Sequence, residues 1–289
     1  MIRIFLLLVI IVLISCKTER TLYRPNFLDF RTEKQLESLS NKEIDSLLAK
    51  HKIHGASIAY IQNGETAWKR GYGYSEGTKT LKIDSTTQFQ AAAISKVFSS
   101  MGVLYLVEKD VFDLDKSLRD KTYEFSIHSD FPSSHVTLRK VLKHSAGMNY
   151  YKLTGYNRKD SIPTLEQIIK GLPPAKNEPI AVVNRPDSFP KYSEGGYVFL
   201  EKLINNRLGG RENQLPFTNT IDLAVFKELR MLNSSFFEPI DTTKIAFGHS
   251  SNGKLLEGKY YLYPEQAAGG LWTNANDISI LINEMAAYI

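Results

Sequence analysis

The chain has 289 residues, of which 43% are hydrophobic and 23% charged, with 36 Lys and Arg against 31 Asp and Glu. This composition excludes a disordered chain, a collagen-like repeat, a coiled-coil rod and a polytopic membrane protein, because each of those needs a far more biased content of apolar or charged residues. The net charge of +5 does not indicate a nucleic-acid partner, since basic and acidic residues are interleaved along the whole chain.

The first 15 residues have the pattern of an export signal. Segment 4–14 is almost wholly apolar, follows Arg3 and stops at Ser15, and it is too short to span a bilayer as a mature helix. Cys16 is the only cysteine, so it cannot form an internal disulfide. The order Leu-Ile-Ser-Cys resembles the bacterial lipoprotein signal, in which the cysteine is lipidated. We therefore expect residues 1–15 to be a signal peptide and Cys16 to be a membrane anchor; an uncleaved anchor is the alternative.

The folded part of the chain is expected to begin after a polar tether. Residues 16–39 lack apolar periodicity and predict this tether. A short helix should follow, with Ser40 or Asn41 as its N-cap, because the apolar residues after them recur at helical spacing. One domain is then expected over residues 40–289.

A β-hairpin and a long helix are predicted next. Two β-like runs, 56–61 and 65–72, flank Asn63-Gly64, and Asn-Gly supplies the positive φ angles that a tight hairpin turn requires. Apolar residues then occupy nearly every side of a helix predicted over 94–107. Because a helix that is apolar all round is normally a buried one, we expect this helix to be buried.

The second half of the sequence predicts helices separated by long loops. Thr137 should cap a helix that ends near Gly147, as helices often end at glycine. Prolines mark an irregular stretch over residues 173–190. Further helices are predicted over 196–205 and from Asn276 to the C-terminus.

Common cofactor and catalytic motifs are missing. There is no Gly-rich phosphate loop, no Gly-x-Ser-x-Gly and no Cys/His metal pattern. His51 and His54 have a spacing that two metal ligands can use, but no third ligand lies nearby in sequence, so solvated histidines are favoured. Ser251 to Lys254 spell Ser-x-x-Lys, but their Asn-Gly context predicts a turn between strands. We expect neither a metal nor another cofactor.

Five ordered segments carry a resemblance to a known family. They read FQAAAISKVF from Phe89, VTLRKVLKHSAGM from Val136, YSEGGY from Tyr192, RMLNSSF from Arg230 and PEQAAGGLWT from Pro264. Together they resemble the superfamily of serine β-lactamases and penicillin-binding proteins, most of all its branch of class C β-lactamases, D-alanyl-D-alanine carboxypeptidases and esterases. The resemblance implies an α+β fold of the β-lactamase/transpeptidase type, in which an α/β sandwich is joined to an all-helical domain.

The resemblance also assigns roles to three positions. In this family a serine begins the buried helix and is acylated, a lysine follows one turn later on the same face, and a tyrosine from the helical domain meets them. Lys96 matches the lysine, Tyr192 matches the tyrosine, and Ala93 stands in the place of the serine. Alanine has no oxygen to acylate, and Ser95, about 200° further round the helix, should point away. Loss of the serine in another serine hydrolase costs about a millionfold in turnover, so the resemblance implies a pseudoenzyme.

Two further departures from the family pattern point the same way. Glu194 stands where the second motif, Tyr-x-Asn, has an amide that contacts substrate. Glu194 either pairs with Lys96, which would hold the lysine charged, or lies exposed on a loop. The third motif, a Lys-Thr-Gly or His-x-Gly strand, does not appear before Ile289. We also expect the C-terminal strands of the family sheet to be missing, which would leave the hairpin with an unpaired edge.

Three functions remain open on sequence grounds. The first is a lipoprotein of the bacterial cell envelope, on its periplasmic or outer-membrane face, that has lost hydrolase activity and binds a peptidoglycan peptide or a β-lactam. The second is an active serine hydrolase with an unrecognised nucleophile. The third is a truncated fragment without an independent function. The first is favoured, with the membrane as a partner through Cys16.

Overall fold

The computed structural model describes residues 33–76, 80–118, 127–132, 136–209 and 216–287. The chain divides into two units, Met1–Ser40 and Asn41–Ile289. The predicted signal peptide and Cys16 lie outside the described residues. The part of the chain that is described contains no helix both long and apolar enough to cross a membrane.

The first described helix, α1, spans Glu33–Lys50. It begins well before Ser40 and Asn41, so the prediction that one of these residues caps it is wrong. Most residues in its sequence are polar, and Leu47 is 53% exposed. The apolar residues after Asn41 therefore predicted the presence of this helix correctly, but they did not predict its first residue.

The predicted hairpin is confirmed. Strand β1 (Gly55–Gln62) pairs antiparallel with β2 (Glu65–Gly73), and Asn63 and Gly64 between them have φ of 53° and 79°. Both angles lie in the left-handed region that an Asn-Gly turn favours. Within the described residues this is a two-stranded sheet.

The C-terminal helix α8 (Ala275–Ala286) packs against both strands of the hairpin. Asn274 caps it by accepting a hydrogen bond from Asp277 N, and Ala275 N donates to Ser57 Oγ of β1 at 3.1 Å. The helix predicted from Asn276 is thus confirmed and begins one residue earlier. Its packing gives the hairpin the apolar cover that an isolated two-stranded ribbon lacks.

A short sheet leads into the central helix. Strand β3 (Phe89–Gln90) pairs antiparallel with β6 (Trp272–Thr273). The chain then makes a 3-10 turn over Ala92–Ile94 and continues as helix α2 (Ser95–Glu108). The helix lies where it was predicted, and Ala93 is the middle residue of the 3-10 turn, two residues before the helix begins.

Helix α2 is not buried on all sides, contrary to the prediction. Phe98 and Val103 are completely buried, whereas Ile94, Val97 and Leu104 are 45%, 46% and 48% exposed. The exposed residues recur at helical spacing and form an outer apolar stripe. Apolar content alone did not reveal this stripe, because the same residue types line both faces.

The remaining described elements form the helical body. They are β4 (His128–Ser129), α3 (Leu138–Leu142), α4 (Leu165–Lys170), β5 (Ala181–Val182), α5 (Gly195–Leu208), α6 (Pro216–Ile221), a π-helical segment (Asp222–Lys227), a 3-10 turn (Thr242–Lys244) and α7 (Gln266–Gly269). Thr137 caps α3 by accepting a hydrogen bond from Lys140 N, as predicted, although α3 ends at Leu142 rather than near Gly147. Helix α5 confirms the helix predicted over 196–205. Helix α7 contacts both α2 and α5, so the three helices meet at one point of the core.

Candidate active site

The position that the family resemblance assigns to the nucleophile is exposed. Ala93 lies in the 3-10 turn between β3 and α2, three residues before Lys96. Its side chain is a methyl group, which can neither attack a carbonyl carbon nor carry an acyl group. The preceding residue, Ala92, has φ of 43°, a conformation that residues other than glycine seldom adopt.

The nearby serines do not supply a replacement hydroxyl. Ser95 is completely buried, and its Oγ accepts a hydrogen bond from Leu271 N at 3.0 Å, which confirms that it points away from the position of Ala93. Ser99 Oγ donates to Ala267 O at 2.8 Å in the core. Ser251 lies in an exposed turn, as predicted, in which Gly253 has φ of 83°.

Lys96 is buried and carries most of the polar contacts of the site. It is 5% exposed, its Nζ forms an ion pair with Glu194, and the same atom donates to Ala268 O at 2.8 Å. Nζ also lies 5.1 Å from the ring centroid of Tyr192 and 5.6 Å from that of Tyr197. Burial lowers the pKa of Lys96, while the hydrogen bond and charge of Glu194 oppose that shift. Of the two alternatives for Glu194, the structure therefore shows the pair.

Tyr192 lies at the open side of the site. It is 45% exposed, and its ring packs on that of His144 with centroids 4.7 Å apart. Burial, and then the charge and hydrogen bond of Glu194, raise the pKa of the Tyr192 phenol. The phenol is therefore protonated at neutral pH and is not available as a phenolate base.

His144 packs against the two tyrosine rings of the site, Tyr192 and Tyr197. Its Nδ1 accepts a hydrogen bond from Ser193 N at 3.1 Å. Burial and the nearby charge of Lys96 lower the pKa of His144. The imidazole is therefore neutral near pH 7, and it orients Tyr192 by packing.

Sequence reasoning missed one buried glutamate that acts on the site, Glu265, and a second one in the core nearby, Glu201, which contacts neither Lys96 nor Tyr192. Glu265 is completely buried, its Oε1 accepts a hydrogen bond from Tyr150 OH at 2.8 Å, and burial raises its pKa. Glu201 accepts a hydrogen bond from Ala267 N at 2.8 Å, and burial raises its pKa to about 8. One signal was present for Glu201, because it lies seven residues after Glu194 and so two turns along the same helix face.

The histidines singled out by spacing do not share a site with each other. His51 is exposed, whereas His54 packs on His249 with ring centroids 4.0 Å apart, and His54 Nε2 lies 2.9 Å from Gly253 O. Among the residues that the structure describes, no three His, Cys, Asp or Glu side chains are arranged to hold a metal ion.

The three assigned positions do not present the groups that acyl transfer by the family pattern uses. Ala93 offers no nucleophile, Lys96 is engaged by a carboxylate, and Tyr192 is a neutral phenol. Ala93 and Tyr192 are exposed, whereas Lys96 and Glu194 are buried. The structure brings Lys96, Tyr192 and Glu194 together, and Ala93 lies three residues before Lys96.

Two curated proteins illustrate the sequence relationship. Protein flp of Staphylococcus aureus is 24% identical over 228 residues, which cover 78% of this chain and 43% of flp. Penicillin-binding protein 4* of Bacillus subtilis is 28% identical over 224 residues, which cover 77% of this chain and 47% of that protein. The chain therefore spans less than half the length of these relatives.

Solved structures agree with the fold. The octameric penicillin-binding protein homologue from Pyrococcus abyssi has a TM-score of 0.65 at 24% identity, covering 86% of this chain and 55% of that one. A D-amino acid amidase from Ochrobactrum anthropi has a TM-score of 0.68 at 20% identity, covering 86% and 68%. These neighbours confirm the expected β-lactamase/transpeptidase-like α+β fold. The family described as Beta-lactamase matches residues 41–287, and the chain belongs to this family.

Proposed function

We propose that this protein is a pseudoenzyme of the β-lactamase family, anchored in the bacterial cell envelope, that binds a peptidoglycan peptide or a β-lactam without cleaving it. One observation carries the proposal. The residue at the nucleophile position, Ala93, has an exposed methyl group as its side chain, although a lysine and a tyrosine occupy the other two assigned positions. Lys96 and Tyr192 stand at the positions that the resemblance assigns to them, while position 93 lacks the atom that would form the covalent bond.

The ligand class is supported by the chemistry of two structural neighbours. A class C β-lactamase has been solved in complex with cefoxitin, and the D-amino acid amidase in complex with L-phenylalanine amide. Both ligands contain an amide-type carbonyl. In this chain, a small pocket of about 190 Å³ lies beside β3 and α7, where Gln90, Tyr261 and Gly270 are among its lining residues. None of Ala93, Lys96, Tyr192 and Glu194 is among those residues, and the size of the pocket suits a side chain of such a ligand rather than a whole peptide.

A fluorescent penicillin gives the direct test of inactivity. We expect the purified protein, run under denaturing conditions after long incubation, to carry no covalent label, because no acyl-enzyme can form on Ala93. A serine-containing relative labelled in parallel serves as the positive control. A labelled band that disappears after Lys96→Ala would mean that another nucleophile operates in this site, and the proposal of a pseudoenzyme would then be wrong.

The envelope location rests on the apolar run 4–14 and Cys16 and has its own test. When the full chain is expressed in a bacterium that is fed radioactive palmitate, we expect the protein to be labelled and to sediment with membranes. Cys16→Ser should abolish both properties, because one thioether-linked anchor is the source of each. Equal labelling of the wild type and of Cys16→Ser would contradict the anchor.

A further inference from the structure

Glu194 contacts both groups that the resemblance names as candidate bases. It is 4% exposed and lies immediately before the first residue of α5. Its carboxylate forms the ion pair with Lys96. Burial is the largest cause of the shifted pKa of Lys96 and of Tyr192, and Glu194 is the next cause in both.

We propose that Glu194 is a second block on acyl transfer, independent of Ala93, because its ion pair with Lys96 keeps that lysine as a charged donor rather than a free base. This inference rests on the proposed function and implies that a hydroxyl restored at position 93 would not by itself restore the full reaction. Glu194 is a positioning residue here, acting through Lys96 and Tyr192 rather than on the ligand.

The proton balance of the reaction shows why the charge matters. For a serine at position 93 to open a β-lactam, its oxygen forms a bond to the carbonyl carbon, the C–N bond breaks, and the serine proton must pass through a base to the ring nitrogen. A lysine can be that base only as a free amine. In the structure Lys96 Nζ forms the ion pair with Glu194 and donates to Ala268 O. The ammonium that this pair stabilises has no lone pair to offer.

Removing the charge of Glu194 should free the amine. Burial already lowers the pKa of Lys96, and Glu194 is the main group that opposes this shift. Glu265 opposes it as well, but Glu265 is itself favoured in its neutral form by burial. Each unit by which the pKa of Lys96 falls raises the free-amine fraction about tenfold at a pH below that pKa.

The test compares Ala93→Ser with the double variants Ala93→Ser/Glu194→Gln and Ala93→Ser/Glu194→Asn. Glutamine keeps the shape of Glu194 without its charge, and asparagine matches the amide of the family motif. The matched control is Ala93→Ser/Glu201→Gln, because Glu201 is equally buried on the same helix face but accepts its hydrogen bond from Ala267 N instead. Circular dichroism and thermal melts establish that each variant is folded.

We expect the labelling rate with fluorescent penicillin at pH 7 to be at least about tenfold higher in the glutamine double variant than in Ala93→Ser. The pH profile of labelling should also move to lower pH, a change that a purely structural effect would not produce. The Glu201 control should label as slowly as Ala93→Ser. If Ala93→Ser and both Glu194 double variants label at the same rate at every pH from 6 to 9, the inference is overturned.

A second measurement decides the case in which no variant is labelled. An amine-selective acylating reagent, read out by mass spectrometry of the peptide that contains Lys96, reports the free-amine fraction directly. Glu194→Gln should increase Lys96 modification at least about tenfold at pH 7 over the wild type, and equal modification overturns the inference. Penicillin labelling of the wild-type chain would refute the proposed function. It would not decide the inference on Glu194, which depends only on the comparison between variants.

Discussion

Glu194→Gln is expected to lower the free energy of unfolding by about 3–5 kcal/mol at pH 7, because it leaves the Lys96 ammonium buried without its counter-ion. Lys96 and Glu194 are only 5% and 4% exposed, so solvent does little to screen the loss. Urea denaturation followed by tryptophan fluorescence measures it. The matched variant is Lys96→Met/Glu194→Leu, which replaces the pair with apolar side chains of similar volume and should recover most of the lost stability. Equal losses in the single and double variants would show that shape, not charge, holds this part of the core.

The destabilisation by Glu194→Gln should become smaller as the pH rises. In the unfolded chain Lys96 has an ordinary pKa of about 10.4, whereas burial lowers its pKa in the folded state. In Glu194→Gln the loss of the opposing charge lowers that folded-state pKa further. Between the folded-state pKa of Lys96 in the variant and that in the wild type, only the variant binds fewer protons folded than unfolded, so only its free energy of unfolding increases with pH. Denaturation at several values between pH 6 and 9 should show this convergence with the wild type. A difference independent of pH would contradict it.

Titration of Glu201 does not alter the difference in stability between the wild type and Glu194→Gln. Burial raises its pKa to about 8, so the folded state binds more protons than the unfolded state below that value, and the contribution of Glu201 to stability is lost as the pH rises through about 8. That loss occurs in the wild type and in Glu194→Gln alike. It therefore cancels in the difference between them.

Phe98→Ala is expected to lower the free energy of unfolding by about 3–5 kcal/mol, while Val97→Ala, its neighbour on α2, should change it by less than about 0.5 kcal/mol. Phe98 is completely buried, and its ring lies 5.5 Å from that of Phe226, so its loss leaves a cavity that the surrounding helices cannot fill. Val97 is 46% exposed on the outer stripe.

Urea midpoints of the two variants, with the wild type alongside, test this assignment of inner and outer faces. The order of the two losses is the decisive result, because both substitutions shorten an apolar side chain in the same helix turn. A loss at Val97 as large as that at Phe98 would mean that the stripe is covered in the protein in solution.

The sequence predicted the elements whose cause is local. The hairpin followed from Asn63-Gly64, and the cap of α3 followed from Thr137, because in both cases a few adjacent residues determine the backbone. The start of α1 was missed because Leu36 and Leu39, although at helical spacing, stand among polar residues that favoured the interpretation as a tether. The outer stripe of α2 was missed for a different reason, because exposure depends on which elements pack nearby and not on the helix itself.

Only those residues of the candidate site that belong to a sequence motif could be predicted. Lys96 and Tyr192 were found because the resemblance names their positions, but Glu265 and its partner Tyr150 are 115 residues apart. Lys96 and Ala268 are 172 residues apart. Contacts over such separations depend on how α2, α5 and α7 meet, and a single sequence does not specify that geometry. For the same reason the two alternatives for Glu194 could be stated from the sequence but not decided.

The strained turn before α2 has a consequence for how position 93 is held. Leu271 fixes the backbone on both sides of it, because its carbonyl oxygen accepts from Ala91 N at 2.9 Å and its N–H donates to Ser95 Oγ at 3.0 Å. A positive φ at Ala92 costs about 1–3 kcal/mol, and these contacts maintain it although no reactive atom is presented. The geometry at position 93 therefore does not depend on the side chain there, and a different small side chain would be held in the same exposed place.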